Sequence, residues 1–398
     1  MDGAPERAGA DGVATSPPDA PDRKLRFGRS EWAGAFGDLG TLIPFVVAYV
    51  EIAGLGAGAL FVTFGAAMIF AGFAYRTPFP VQPMKAAGAI AITNAAAGVT
   101  LGAAAIHAAA LATGVVWLML GVTGTAQRVA RLVAPPIALG LIVGLGIGFM
   151  LEGARSMSDG PWLAIPALAL AIAFSDSRRV PVMFALLGLG IAWALATDAS
   201  LPARLADLRL SLHWPSVVLG DIGVDALVAG FVFIALPQLP LTLGNAVVAV
   251  TAENNRLFPD RPTSEGKVAT TTGLVNLLSG ALGGVPMCHG AGGMAGHVRF
   301  GARTGGAPVI LGVLLLVLGL FASASIATLL ALFPRPLLGV ILFLAGLQLA
   351  TGARDLGHGR LDRLVMFGTA GLAVWNVGAA FVFGVVVHEL GRRGLLRL

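Results

Sequence analysis

Long apolar runs alternate with short charged or Pro/Gly-rich breaks along nearly the whole chain. They fall at approximately 33–52, 55–75, 84–98, 102–122, 132–151, 161–175 and 180–197. After a polar stretch from Thr197 to Asp221 they resume at 225–250, 265–282, 287–297, 306–332, 336–352, 361–375 and 377–391. A helix needs about 20 apolar residues to cross a hydrocarbon core of about 30 Å, so most of these runs predict membrane spans. Barrel strands would alternate in polarity over about ten residues, and no run does so. The pattern predicts an all-α polytopic membrane protein of about 14 transmembrane segments. The runs at 84–98 and 287–297 are short and follow prolines, which predicts two half-helices with short extended lead-ins.

Seven runs precede the polar stretch and seven follow it, and an odd number per half inverts the second half in the membrane. The expected organisation is a disordered cytoplasmic tail over 1–30, a first repeat over 31–198, an extracytoplasmic connector over 199–224 and a second repeat over 225–398. The tail is rich in Pro, Ala, Gly and Asp, contains no apolar run, and reads as unstructured rather than as a signal peptide. Charge supports the count. With both termini cytoplasmic, Arg76, Arg128, Arg131, Arg178, Arg179, Arg256, Arg261, Lys267, Arg299, Arg303, Arg354, Arg360 and Arg363 fall inside. Only Arg155, Arg204, Arg209 and Arg335 fall outside, as the positive-inside rule requires.

Composition agrees with the pattern. Of 398 residues, 56% are hydrophobic and 12% charged, against about 25% charged in soluble domains. The net charge of +5 is scattered through short loops, which excludes a nucleic-acid surface and reads as a topology signal. The 55 glycines suit closely packed membrane helices. Cys288 is the single cysteine, so no intrachain disulfide forms. No Walker sequence, metalloprotease histidine pair or nucleophile triad is present, so neither an enzyme nor a cofactor or metal site is expected. Glycine strings such as Gly144-Leu145-Gly146-Ile147-Gly148 lie in membrane runs and read as packing surfaces, not dinucleotide sites.

Chemistry concentrates at the two breaks. Pro80-Val81-Gln82-Pro83-Met84-Lys85 delivers a lysine into a run of small apolar residues. A lysine deep in a bilayer costs about 2.5–3.5 kcal/mol on insertion scales; the alternative is a lysine snorkelling at a helix end. The second break, Gly283-Gly284-Val285-Pro286-Met287-Cys288-His289-Gly290-Ala291-Gly292-Gly293, is glycine-rich, so a ligand can approach its backbone, although helix packing explains any one glycine equally well. Each half-helix presents free N–H groups and roughly half a positive charge at its N-terminus. Two such ends with Lys85 make an anion site. Paired interrupted segments in two halves are also the sequence pointer to a transporter site.

Asp38 stands in the first run, able to pair with Lys85, carry a proton or lie at the interface. Gln238 and Asn245 are candidate donors to substrate oxygens or bonds between helices, His289 a ligand, proton shuttle or satisfied buried histidine, and Cys288 a small packing residue. His107 and His388 read as structural or interfacial.

Phe36-Gly37-Asp38-Leu39-Gly40-Thr41-Leu42-Ile43-Pro44, Pro80 to Lys85, Gln238-Leu239-Pro240-Leu241-Thr242-Leu243-Gly244-Asn245-Ala246, and Met287 to Gly293 with Arg299-Phe300-Gly301-Ala302-Arg303-Thr304-Gly305 together resemble the molybdate transporter family, a branch of the sulfate permease superfamily. The resemblance runs from about residue 30 onward. It implies a 7+7 inverted repeat with core and gate domains and uptake of molybdate, with sulfate and tungstate as related substrates. It also implies a multi-pass protein of the bacterial cytoplasmic membrane, and homodimers. Many sulfate permeases carry a regulatory domain after the last helix; this chain leaves no room for one. The candidate substrate-binding set is Gln82, Met84, Lys85, Gln238, Asn245, Met287, Cys288, His289 and Gly290, with Asp38 and His289 as candidates for proton coupling.

The expected activity is secondary active import of a tetrahedral oxyanion by alternating access, with protons as the coupling ion. A sulfate or other anion permease and an uncoupled anion channel of the same fold are the alternatives. A nucleobase permease would want an acidic partner where Gln238 stands, and a scaffold role leaves the lysine and the paired breaks unexplained.

Overall fold

The computed structural model describes residues 24–396 except 39–41, 44, 47–48, 51–53, 85–86, 89–100, 131–133, 175–181, 209 and 352–358. The predicted half-helix over 84–98 and Lys85 therefore lie largely outside the described residues. Helix α1 (Arg29–Ala35) runs into a 3-10 turn, Phe36–Asp38. Helix α2 (Ala57–Tyr75) leads to the short strand β1 (Gln82–Pro83), and α3 (Ala103–Val122), α4 (Pro135–Ser158), α5 (Pro161–Ala173) and α6 (Val182–Thr197) follow. The second half holds α7 (Val224–Leu257), α8 (Glu265–Ala281), strand β2 (Met287–Cys288) and α9 (Ala291–Arg299). It ends with α10 (Gly306–Phe321), α11 (Arg335–Thr351), α12 (Arg360–Trp375) and α13 (Val377–Arg392).

Among the described residues, α2, α3, α4 and α7 are long and apolar enough to cross a membrane, and α5, most of α6, α10 and part of α11 are shorter apolar helices. Several boundaries differ from the hydropathy runs. Helix α7 continues past 250 to Leu257, and helix α4 continues to Ser158, carrying the exposed pair Glu152 and Arg155 at 3.5 Å. The run 306–332 breaks at Phe321, where backbone N–H groups of Ser211 and His213 take the carbonyls of Phe321 and Leu320. The run 287–297 opens as a strand, and its helix begins only at Ala291. The apolar stretch 361–391 divides at Asn376, whose extended backbone ends α12 and whose side chain accepts from the Ala379 N–H to start α13.

Helix pairing is reciprocal between the halves. Helix α2 packs on α10 and α3 on α8, while α4 packs on α11. Small residues make this possible. A Cβ at Gly65 would fall 2.5 Å from the Gly312 carbonyl oxygen, and one at Gly312 would fall 2.7 Å from that of Gly65. Gly146 and Gly346 meet in the same way across α4 and α11. Without a hydrophobic force between helices in lipid, such backbone approach supplies the packing. Gly65→Val is expected to lower the thermal midpoint in detergent, at an overpacking cost of about 1–3 kcal/mol. An unchanged midpoint would show that the α2–α10 contact contributes nothing.

One large apolar cluster runs from Leu42, Phe45 and Tyr49 through α2, β1, β2 and α10, which marks the core domain. Two smaller clusters lie among α4, α5, α6, α11, α12 and α13, the gate domain. Aromatic pairs cross the seam: Phe36 meets Phe184 and Phe45 meets Phe149, each edge-on with centroids 5.3 Å apart.

Candidate functional site

The two breaks meet. Strand β1 pairs antiparallel with β2, Gln82 opposite Cys288 and Pro83 opposite Met287. The ladder extends by one bond, from the Met84 N–H to the Pro286 carbonyl at 2.9 Å. Val81, Gln82, Met84, Val285, Met287, Cys288 and His289 are all buried. Prolines at Pro80, Pro83 and Pro286 explain why these segments leave the helix: each lacks an N–H and disfavours the α-conformation of the residue before it. Isolated in lipid, such backbone would be unsatisfied. Pairing the two breaks with each other resolves that.

The bonded pair of the ladder is Met84 with Pro286, so Pro83 and Met287 face each other at a position without backbone bonds, and the Met287 N–H and carbonyl point away from β1. The Asn276 side chain on α8 satisfies both: its Nδ2 donates to the Met287 carbonyl at 2.6 Å, and its Oδ1 accepts the Met287 N–H at 2.9 Å. Ser279 donates to the Val285 carbonyl at 2.7 Å. His107 on α3 donates from Nδ1 to the Gly284 carbonyl at 2.8 Å, next to Gly283, whose φ of 74° suits glycine. A Cβ at Gly284 would fall 2.4 Å from the Thr63 hydroxyl oxygen and 2.3 Å from that of Ser279, so this turn closes tightly on α2 and α8.

Past β2, Gly290 is the N-cap of α9 in extended conformation, and no side chain caps the helix start. Among the described residues, nothing lies within 4 Å of where a Cβ on Gly292, in its first turn, would stand. After β1 a helical turn also begins, with the Gly88 N–H on the Met84 carbonyl at 3.0 Å. Its Ala87 N–H donates to Gln238 Oε1 at 3.3 Å, while Gln238 Nε2 donates to Thr242 at 2.9 Å. Gln238 thus orients the start of the first half-helix. It does so from an unevenly wound helix: Pro237 and Pro240 sit in a short α-segment of α7, flanked by π-helical turns over Gly230–Ala235 and Thr242–Ala249. Missing proline N–H groups favour such wide turns, which recur at functional sites.

His289 has both ring nitrogens engaged. Its Nδ1 donates to the Pro80 carbonyl at 2.7 Å, and Nε2 meets the Thr271 hydroxyl at 3.1 Å, which in turn meets the Tyr75 hydroxyl at 2.5 Å. Tyr75 and Phe79 stack with centroids 3.7 Å apart and border the imidazole. This network ties the loop before β1 to the end of β2.

The structure therefore brings together Gln82, Met84, Met287, Cys288, His289 and Gly290, with Gln238 reaching in from α7. Asn245 lies on the second wide turn of α7, and Asp38 on the 3-10 turn that packs against α9. Three polar residues escaped the sequence reading. Asn276 and Thr271 sit inside apolar α8 with no local signal of their partners. Tyr49 is fully buried near Cys288, and its hydroxyl has no partner among the described residues.

The chain matches the family model described as "Molybdate transporter of MFS superfamily" over residues 30–149 and 230–349. It is 31% identical to Molybdate transporter 1 of Arabidopsis thaliana, over 90% of this chain and 87% of that protein. Among solved structures it is similar to the transmembrane domain of the cyanobacterial bicarbonate transporter BicA, with a TM-score of 0.59, 17% identity, and coverage of 90% and 98%. It is also similar to the murine Solute Carrier 26 family member A9 anion transporter, with a TM-score of 0.66, 11% identity, and coverage of 93% and 69%. At these identities the structural likeness establishes the fold alone.

Proposed function

The chain belongs to the molybdate transporter family, and from that premise we propose that it imports molybdate by alternating access, with tungstate and sulfate as related tetrahedral substrates. It is an integral membrane protein with an anion-transporter fold, and not an enzyme. The observation that carries the substrate reading is the antiparallel pairing of β1 with β2 beside the uncapped start of α9.

In this reading the dianion lies between the two half-helix starts, among Gln82, Met84, Lys85, Asn245, Met287, Cys288 and Gly290. Gln238 orients the first half-helix and His289 holds the two break segments in register. Backbone N–H groups replace hydration of the oxyanion without fixing so much positive charge that release is slowed. The two halves act as inverted repeats over 31–198 and 225–398, and the core domain moves against the gate along the seam of Phe36, Phe184, Phe45 and Phe149. The connector over 199–224 stays outside, and both termini face the cytoplasm of a bacterial cell.

A potential of about 100 mV, negative inside, opposes an entering dianion by about 4.6 kcal/mol. Protons entering with the dianion offset this. The test is uptake of radiolabelled molybdate into proteoliposomes under an imposed proton gradient, with tungstate and sulfate as competitors. The expected result is concentrative uptake that collapses with the gradient and is competed by tungstate. Purely dissipative flux would make the protein a channel; absence of any molybdate flux would overturn the reading.

A further inference from the structure

Two titratable side chains are buried away from the β1–β2 pairing, each with a polar atom that meets no partner among the described residues. His297, in the last turn of α9, is fully buried. Its Nδ1 donates to the Gly34 carbonyl on α1 at 2.7 Å, which fixes the proton on that nitrogen; its Nε2 meets no partner among the described residues. Glu31 is 1% exposed, three residues before Gly34 and hence on the same face of α1. Its Oε1 accepts the N–H groups of Arg303 and Thr304, each at 3.0 Å, while Oε2 meets no partner among the described residues. The peptide between them is tied back as well, since the Ala302 N–H donates to the His297 carbonyl at 3.0 Å. Buried polar atoms are rarely left open. Two titratable ones on a single seam call for a ligand.

We propose that His297, on the seam that Glu31 also lines between α1 and the end of α9, is the binding site for the proton that moves with the dianion. This rests on the coupled transport reading above and places coupling on α9 itself. Nε2 takes the proton, while Nδ1–H keeps its bond to Gly34 and no other bond in the seam has to break. The α9 helix has nine residues, so its two ends are about 13 Å apart at about 1.5 Å per residue. The dianion occupies the N-terminal end and the proton the C-terminal end, each at the end of the helix dipole that favours its charge. The positive charge on His297 raises affinity for the dianion, and by reciprocity the bound dianion raises affinity for the proton by the same factor. The other charged groups on the elements packed around α9 are Arg29 on α1, Asp38 on the turn, Glu253 and Arg256 on α7, Arg299 on α9 and Arg303 after it. Asp38 and His289 remain close by, but His289 has both ring nitrogens already engaged.

The sign follows from the protonated form being the tighter binder. Affinity for molybdate is therefore expected to be higher in acid than in alkali. The experiment measures molybdate binding to the full-length protein in lipid nanodiscs by calorimetry at about pH 5.5 and about pH 8.5, the range over which histidine side chains change charge in proteins. Buffers of different ionisation enthalpy count the protons taken up. Wild type is expected to bind about tenfold tighter at the lower pH and to take up protons with the anion. His297→Asn keeps a donor for Gly34; it is expected to bind at both pH values with the weaker affinity and no proton uptake. Glu31→Gln keeps the acceptor for Arg303 and Thr304 and is expected to reduce the pH slope. A His297→Asn protein with wild-type slope and proton count, or a wild type with flat affinity, overturns this inference alone. A wild type that binds no molybdate at either pH overturns the functional reading together with it.

Discussion

Asn276→Leu is expected to abolish molybdate uptake and to lower the thermal midpoint of the detergent-solubilised protein. Leucine has a similar volume but offers neither donor nor acceptor, so the Met287 N–H and carbonyl lose their bonds to Nδ2 and Oδ1. The facing strand cannot replace the amide, because Met287 opposes Pro83 at a position where the ladder makes no backbone bond and its N–H and carbonyl point away from β1. Leaving a buried backbone group unsatisfied costs about 1–3 kcal/mol, and here two are left. The total, about 2–6 kcal/mol, is comparable with the net stability of many domains. The damage is local to β2, which leads into α9, so the geometry of the dianion site goes with it. Asn276→Asp, which retains an acceptor for the Met287 N–H, should fall between the two. A leucine variant with wild-type midpoint and uptake would show that β2 is held by something other than this amide.

Lys85→Ala is expected to raise the apparent KM for molybdate by about 10- to 100-fold, the range of a charge-assisted hydrogen bond worth about 1.5–3 kcal/mol. The argument is one of charge and position in the chain. Lys85 directly follows Met84, whose N–H closes the ladder on Pro286. No other lysine or arginine lies between Arg76 and Arg128. Lys85→Arg keeps the charge and should retain part of the affinity, whereas Lys85→Ala should lose affinity equally for molybdate, tungstate and sulfate. Initial-rate uptake over a range of molybdate concentrations decides it. A KM in Lys85→Ala equal to wild type would remove the lysine from the site.

Much of this architecture was legible along the chain. The apolar runs located α2, α3, α5, α6, α8, α12 and α13 to within a few residues, since each apolar residue favours the bilayer interior on its own account. The prolines at Pro83 and Pro286 marked both breaks, because a missing N–H is a property of the residue itself. Some boundaries moved where distant backbone intervened, as at Phe321, where the connector takes the last carbonyls of α10. The site divides the same way. Gln82, Met84, Met287, Cys288 and Gly290 were visible as a motif, and Gln238 as a substrate donor or a bond between helices, but its partner Ala87, 151 residues away, was not. Asn276 sat unmarked in an apolar helix. His289 drew attention as a ligand, yet its ring bonds Pro80, 209 residues distant.

By itself, the sequence determined that this protein lives in the membrane as helices, that two of its segments break at prolines, and that the breaks carry a cation, amides and glycines suited to a dianion. Only the tertiary structure decided that the breaks pair antiparallel with Gln82 opposite Cys288. It also decided that Asn276 holds both backbone groups of Met287 and that His297 docks on Gly34, with Nε2 unpartnered among the described residues. The reason is physical. Partition into a bilayer is a sum over single residues and can be read in order, whereas a hydrogen-bond partner is chosen by proximity in space, after the helices have packed.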